Sequence, residues 1–198
     1  MLGLSACRKC TRIVKNFDKL NRTHPDYQNK PIIPISQKNA SISIVGLAPG
    51  LSGANKTGMI FEGDFSGHIL NKTLELSGFN SKNNQDYPYI TNAVKCFPPN
   101  NKPTSSEINN CNMYLKYELE KLTNLRVIIA LGLIAHNSIL KTYTLVQKDY
   151  RFGHGIIHKI NKDVVLIDSY HCSKINIYTK RLTAAMLLDI MKLAKSYI

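Results

Sequence analysis

Five cysteines carry the first chemical signal in this chain. Cys7 and Cys10 form a C-x2-C pair, whereas Cys96 and Cys111, with fourteen residues between them, fall at a strand end and on a helix. Four thiolates from two distant segments are enough to build one metal centre. By ligand count they suit zinc and a four-iron cluster equally, and the spacing lacks the second close pair usual in zinc ribbons. The plainer reading makes Cys96 and Cys111 ordinary buried residues, as free cysteines often are. It leaves the C-x2-C pair without a purpose. An odd cysteine count and no secretory pattern at the start of the chain argue against a disulfide framework.

Glycine marks a second constellation. Six of the eleven glycines lie between Gly46 and Gly67, in GLAPGLSGANKTGMIFEGDFSG, at the C-terminal end of a predicted strand, where α/β folds place ligands. Gly50 to Thr57 imitates a phosphate-binding P-loop, but Asn55 stands where that motif needs its second glycine, which argues against a nucleotide triphosphatase. Glycine lets a ligand approach the backbone closely, so the loop suits a planar ligand, with Phe61 as a stacking surface and Asp64 as an acid or base. Alone, Phe61 reads as core, and Asp64 as a charge favouring a helix N-terminus.

The third constellation is Ser169-Tyr170-His171-Cys172-Ser173, followed by a basic stretch from Lys174 to Arg181. Adjacent residues of an extended segment point to opposite sides, so a Cys-His nucleophilic pair is disfavoured and His171 reads as a hydrogen-bond donor. His24, His68, His136 and His158 have no site context in the sequence. His154, in RFGHG, falls in a turn without an assignable role.

The elements that must hold these groups alternate. Ser41 to Leu47 reads as a buried strand, followed by the glycine-rich loop and a helix from about Ser66 to Ser77, stopped by Gly78. Further strands are predicted over Tyr89 to Lys95, over Val127 to Leu131, and as a pair within Gly155 to Ile167 turning at Asn161 to Asp163. Thr104 to Glu107 reads as a capping box, after which Ile108, Cys111, Leu115, Leu119 and Leu122 share one helical face, turning Cys111 inward. A last helix, roughly Thr179 to Tyr197, directs Leu182, Met186, Leu187, Ile190 and Leu193 to the core. Asn80 to Tyr87 and Thr142 to Tyr150 read as surface loops, and the first forty residues are the least legible. The sum is a single three-layer α/β/α domain with a central, mainly parallel sheet.

Charge narrows the partner. With 26 Lys and Arg against 13 Asp and Glu, the chain carries +13, spread along its length, which points to a polyanion and first to nucleic acid. No apolar run is long enough for a bilayer, so a soluble, cytoplasmic monomer is expected, nucleoid-associated when bound to DNA.

GLAPGLSGANKTGMIFEGD, ITNAVKCFPPNNKPT, RFGHG and SYHCSKINIYTKRLT, in that order after the C-x2-C pair, resemble the motifs of type-5 uracil-DNA glycosylases over nearly the whole chain. The resemblance implies that Cys7, Cys10, Cys96 and Cys111 hold a structural 4Fe-4S cluster. It implies that Gly50 and Phe61 frame an extruded base, that Asn92 reads its Watson-Crick edge, and that His171 stabilises charge on the leaving base. Leu47 and Ala48 stand where other uracil-DNA glycosylases carry a polar group for water, which makes Asp64 the candidate to position it. Lys174, Asn176 and Arg181 are expected to contact double-stranded DNA. The chain departs from the family at Cys172, where proline is usual, and at Lys180, where glycine is usual. Two other classes are consistent with the same features: a DNA-binding protein without catalysis, and a zinc-stabilised structural protein.

Overall fold

The computed structural model describes residues 3–35, 39–79 and 87–198. The predicted loop over Asn80 to Tyr87 lies, apart from Tyr87, outside the described residues. Five strands form one sheet in the order β2-β1-β3-β5-β4, where β1 is Ile42–Gly46, β2 Tyr89–Asn92, β3 Val127–Leu131, β4 Ile157–Lys159 and β5 Val165–Ser169. All pairings are parallel except that of the edge strand β4 with β5. β1 and β3 are buried along their whole length, as expected of strands covered on both faces.

One face packs on α4 (Ser105–Glu120) and α5 (Leu133–Thr142), with Val45, Ile128, Leu115, Leu119 and Ile139 in the core. The other packs on α3 (Phe65–Leu76) and α7 (Ala184–Lys195), around Ile42, Ile44, Leu70, Leu187 and Ile190. The three-layer α/β/α reading therefore holds. The capping box at Thr104 forms in both directions, and its geometry fixes the start of the helix that carries Cys111.

Several elements differ from their predicted form. The illegible N-terminus contains α1 (Thr11–Thr23), which buries only Ile13, Phe17 and Leu20. Between β1 and α3, the glycine-rich loop carries a single helical turn, α2 (Ala54–Thr57). The strand beginning at Tyr89 ends at Asn92. Ladder-like hydrogen bonds continue from Ala93 N to Gly46 O and from Val94 N to Leu47 O, after which Lys95 turns into the interior. The predicted terminal helix, Thr179 to Tyr197, begins only at Ala184 as α7; a short helix, α6 (Lys174–Tyr178), precedes it, and Lys180 between them adopts a left-handed backbone at φ 58°. That is the position where the resembled family uses glycine, the residue that takes this conformation without steric cost. The predicted surface loop after α5 also differs: Thr142 belongs to that helix, and Tyr143, Leu145 and Tyr150 pack against the core.

Candidate active site

The glycine-rich loop and the ends of β1, β2 and β5 meet at the C-terminal edge of the sheet. Gly46, the last residue of β1, pairs in register with Asn92, the last of β2. A Cβ on Gly46 would stand 2.4 Å from Asn92 Oδ1 and 2.7 Å from Phe61 Cζ, so the carboxamide and the ring face each other across a gap that only glycine keeps open. Gly46 is a site residue that the sequence reading did not single out, since a glycine ending a strand looks like a turn residue. Phe61 is held in a left-handed conformation, φ 53°. Its carbonyl accepts a hydrogen bond from Asn71 Nδ2 at 3.0 Å and lies 2.2 Å from where a Gly67 Cβ would be. Backbone strain of about 1–3 kcal/mol at such a residue persists only where its surroundings over-determine it, and it clusters at functional sites.

Asp64 caps α3: its Oδ1 accepts from Gly67 N at 2.8 Å. The helix-cap reading of Asp64 therefore holds. Its Oδ2 lies 2.1 Å from a hypothetical Gly53 Cβ and 2.9 Å from one on Gly50, so these two glycines make room for it. Gly50 belongs to the carboxylate's seat rather than to the ring's.

His171 follows β5, with its ring centroid 6.2 Å from that of Phe61 and the planes 31° apart. Burial lowers its pKa below the usual imidazole value, an effect opposed by the nearby Asp64 carboxylate. The ring is therefore neutral at physiological pH and offers one N–H. Asn176, expected to face phosphate, instead donates from Nδ2 to the His171 carbonyl at 2.8 Å and so holds the loop that aims the imidazole. Lys174 and Arg181 are exposed, and Arg181 stacks over the Tyr170 ring at 4.7 Å. Cys172 points away from His171, its thiol donating to Ser66 O at 3.4 Å, and burial pushes it up to about 12.

Asn92 is 3 % exposed, and its Oδ1 accepts no hydrogen bond among the described residues. A buried, unmatched acceptor of this kind costs about 1–3 kcal/mol, which a ligand donor would recover. Phe61, Asn92, His171 and Asp64 thus lie near one another, bringing together an aromatic ring, a carboxamide, an imidazole and a carboxylate. This set is suited to a planar heterocycle with an N–H beside a carbonyl.

The four cysteines converge at a separate corner, where Leu4, Ile13, Phe17 and Phe97 pack around them. Lys95 N donates to Cys111 Sγ at 3.4 Å and Asn110 Nδ2 to Cys10 Sγ at 3.7 Å. Burial and the neighbouring sulfurs raise the Cys96 thiol, and burial raises Cys111 to about 11, eased by the Lys95 N–H. Arg12 at the start of α1 clamps Glu107 of α4 with two hydrogen bonds of 2.9 and 2.7 Å, fixing the C-x2-C segment against the helix of Cys111.

Three residues without context in the sequence also meet. Asp168 of β5 accepts from His136 Nδ1 at 2.7 Å, His158 Nε2 at 3.1 Å and Gly153 N at 3.3 Å, while His136 Nε2 faces Tyr150 O at 3.0 Å. Beside this knot His154 Nδ1 accepts from Tyr170 N at 3.2 Å, so RFGHG is fastened to the segment that leads from β5 to His171.

Residues 33–195 match the sequence profile of the Uracil DNA glycosylase superfamily. The chain is 36% identical to a type-5 uracil-DNA glycosylase of Thermus thermophilus, over 97% of this chain and 94% of that protein. It is 37% identical to one of Pyrobaculum aerophilum, over 95% and 87%. A type-4 uracil-DNA glycosylase of Archaeoglobus fulgidus is 31% identical over 85% of this chain and 77% of its own length. With the site, the sheet order and these similarities agreeing along nearly its full length, the chain belongs to the uracil DNA glycosylase superfamily.

Proposed function

We propose that this protein is a monofunctional DNA glycosylase that extrudes uracil from double-stranded DNA and hydrolyses its N-glycosidic bond, leaving an abasic site for base excision repair. The observation that carries this reading is the unmatched Asn92 Oδ1 opposite the Phe61 ring. Uracil presents an N–H next to a carbonyl on its Watson-Crick edge, which an amide oxygen and amide N–H complement. Cytosine presents the reverse. Deamination of adenine creates the same N–H and carbonyl pair in hypoxanthine, so this edge chemistry extends to that base.

Cleavage breaks the bond between C1′ and the base nitrogen, with the electron pair leaving on the base. Positive charge builds on the sugar and negative charge on the base in the transition state. The neutral His171 donates its N–H to the departing base, and the Asp64 carboxylate orients water and stabilises the sugar cation. The water oxygen joins C1′ and keeps one proton as the sugar hydroxyl, while its other proton is taken up, through solvent, by the departing base. Extrusion costs a few kcal/mol, least for a mispair, so uracil opposite guanine is the favoured substrate. The net charge of +13 and the exposed Lys174 and Arg181 serve phosphate contact.

Cys7, Cys10, Cys96 and Cys111 fit a 4Fe-4S cluster. The four thiols share one corner lined by Leu4, Ile13 and Phe17, and their number suits such a cluster. The Lys95 and Asn110 donors to sulfur suit cluster thiolates. When bound, the cluster cross-links the N-terminal segment to α4 and takes no part in hydrolysis. Iron analysis and absorbance near ~400 nm of anaerobically purified protein distinguish it from zinc.

The deciding experiment is alkali-revealed strand cleavage at a single U·G site by wild type, His171→Ala and Asp64→Asn. Each substitution is expected to reduce the rate by about a hundredfold or more. Tight binding without cleavage of uracil or hypoxanthine duplexes would overturn the enzyme reading in favour of a DNA-binding protein.

A further inference from the structure

Lys95 is 1 % exposed, among the largest fully buried side chains of the chain. Its ammonium is satisfied by three acceptors for its three protons: Thr91 Oγ1 at 2.7 Å, Asn92 O at 2.6 Å and Glu118 Oε2 at 2.6 Å. Thr91 in turn donates to Glu118 Oε2 at 2.8 Å. The main chain of Lys95 is equally committed, its N–H to Cys111 Sγ and its C=O to Ile32 N at 2.7 Å. One residue thus touches the backbone of Asn92 with its side chain and the cysteine corner with its backbone.

A buried ion pair is a weak source of stability, because desolvation offsets its attraction and apolar residues of similar volume often do as well. The pair between Lys95 and Glu118 therefore calls for a contribution other than stability, and Asn92 supplies it. Among the described residues Asn92 Oδ1 has no hydrogen-bond partner, and the contact that holds this residue is at its backbone, where Lys95 Nζ donates to the carbonyl.

We infer that Lys95 is a positioning residue: by holding the Asn92 main-chain carbonyl with its side chain and Cys111 Sγ with its backbone N–H, it sets where the carboxamide stands in the base site and ties base reading to the cysteine corner. This rests on the glycosylase reading above.

The test compares affinities for two duplexes, one carrying a non-cleavable 2′-fluorinated deoxyuridine opposite guanine, the other a tetrahydrofuran abasic analogue that offers no base to read. The variant is Lys95→Met with Glu118→Gln, which removes both charges together at nearly constant volume. Its affinity for the fluorinated uracil duplex is expected to fall about tenfold, the worth of one recognition hydrogen bond, with tetrahydrofuran binding and iron content unchanged. Equal losses on both duplexes, or none, overturn the inference. Should the double variant fail to fold, Thr91→Val removes one partner of the ammonium at constant shape. About threefold weaker binding to the uracil analogue alone supports the inference, and unchanged binding overturns it. If the wild type itself binds the uracil analogue no better than undamaged DNA, the glycosylase reading fails first.

Discussion

Two buried polar side chains of the same sheet have opposite surroundings. Asp168 in β5 collects three donors, whereas Asn92 at the end of β2 leaves its carboxamide oxygen unmatched. A satisfied polar group in a low-dielectric interior belongs to the architecture. One left open beside an aromatic wall belongs to a ligand. Ser43 Oγ, Asn55 Oδ1 and Glu118 Oε1 are unmatched as well, so it is the Phe61 ring beside Asn92 that marks its oxygen for a ligand.

The largest expected effect is on the open side. Asn92→Leu should lower single-turnover cleavage of a U·G duplex by about a thousandfold, because a site built around a hydrogen bond rejects what cannot form it. Its thermal midpoint should stay level or rise, since an unmatched acceptor has been replaced by an apolar group of similar size. A fall in stability would show that Asn92 has a hidden structural partner and break the contrast. On the closed side, Asp168→Ala should destabilise the fold by about 3 kcal/mol in urea titration, leaving His136, His158 and Gly153 without their acceptor. Cleavage per folded molecule should change only a few-fold.

The smallest effect sharpens the boundary between the two regions. Burial depresses the pKa of both His154 and His171. A depressed imidazole stabilises the native state fully above its unfolded pKa near ~6.5, and that stability is lost as pH falls through the native value. Urea midpoints should therefore decline from pH 7 to pH 5, by an amount that His154→Gln reduces. A flat profile would mean that neither ring is desolvated in solution.

The sequence revealed what is local. A capping box, alternating apolar runs and glycine spacing carried the order of strands and helices, because each is decided within a few residues. Lys180 carries no signal of a left-handed turn, so the terminal helix read as starting at Thr179, five residues before it does. In α1 three apolar residues sit in a polar stretch, too few to stand out. His136, His158 and Asp168 come from three separate segments, and no spacing rule joins them. Asn92 was legible only through family resemblance, since an asparagine ending a buried strand has no local mark of its use, and Gly46 and Lys95 were missed for the same reason. Their importance lies in what they touch.

The cysteine corner also constrains how the chain reaches its native state. Cys10 contacts Asn110, 100 residues further along the chain. During synthesis the C-x2-C pair emerges first and waits for most of the sheet and for α4 before its partners exist. Closing so long a loop is entropically late. Helix α1, held by three buried side chains, the Arg12 clamp and this corner, is thus expected to be the last piece to dock and the first to come away. With the cysteine corner not yet assembled, the chain would consist of an almost complete sheet with a loose α1 segment, open to proteolysis there while Asn92 and Phe61 are already in place.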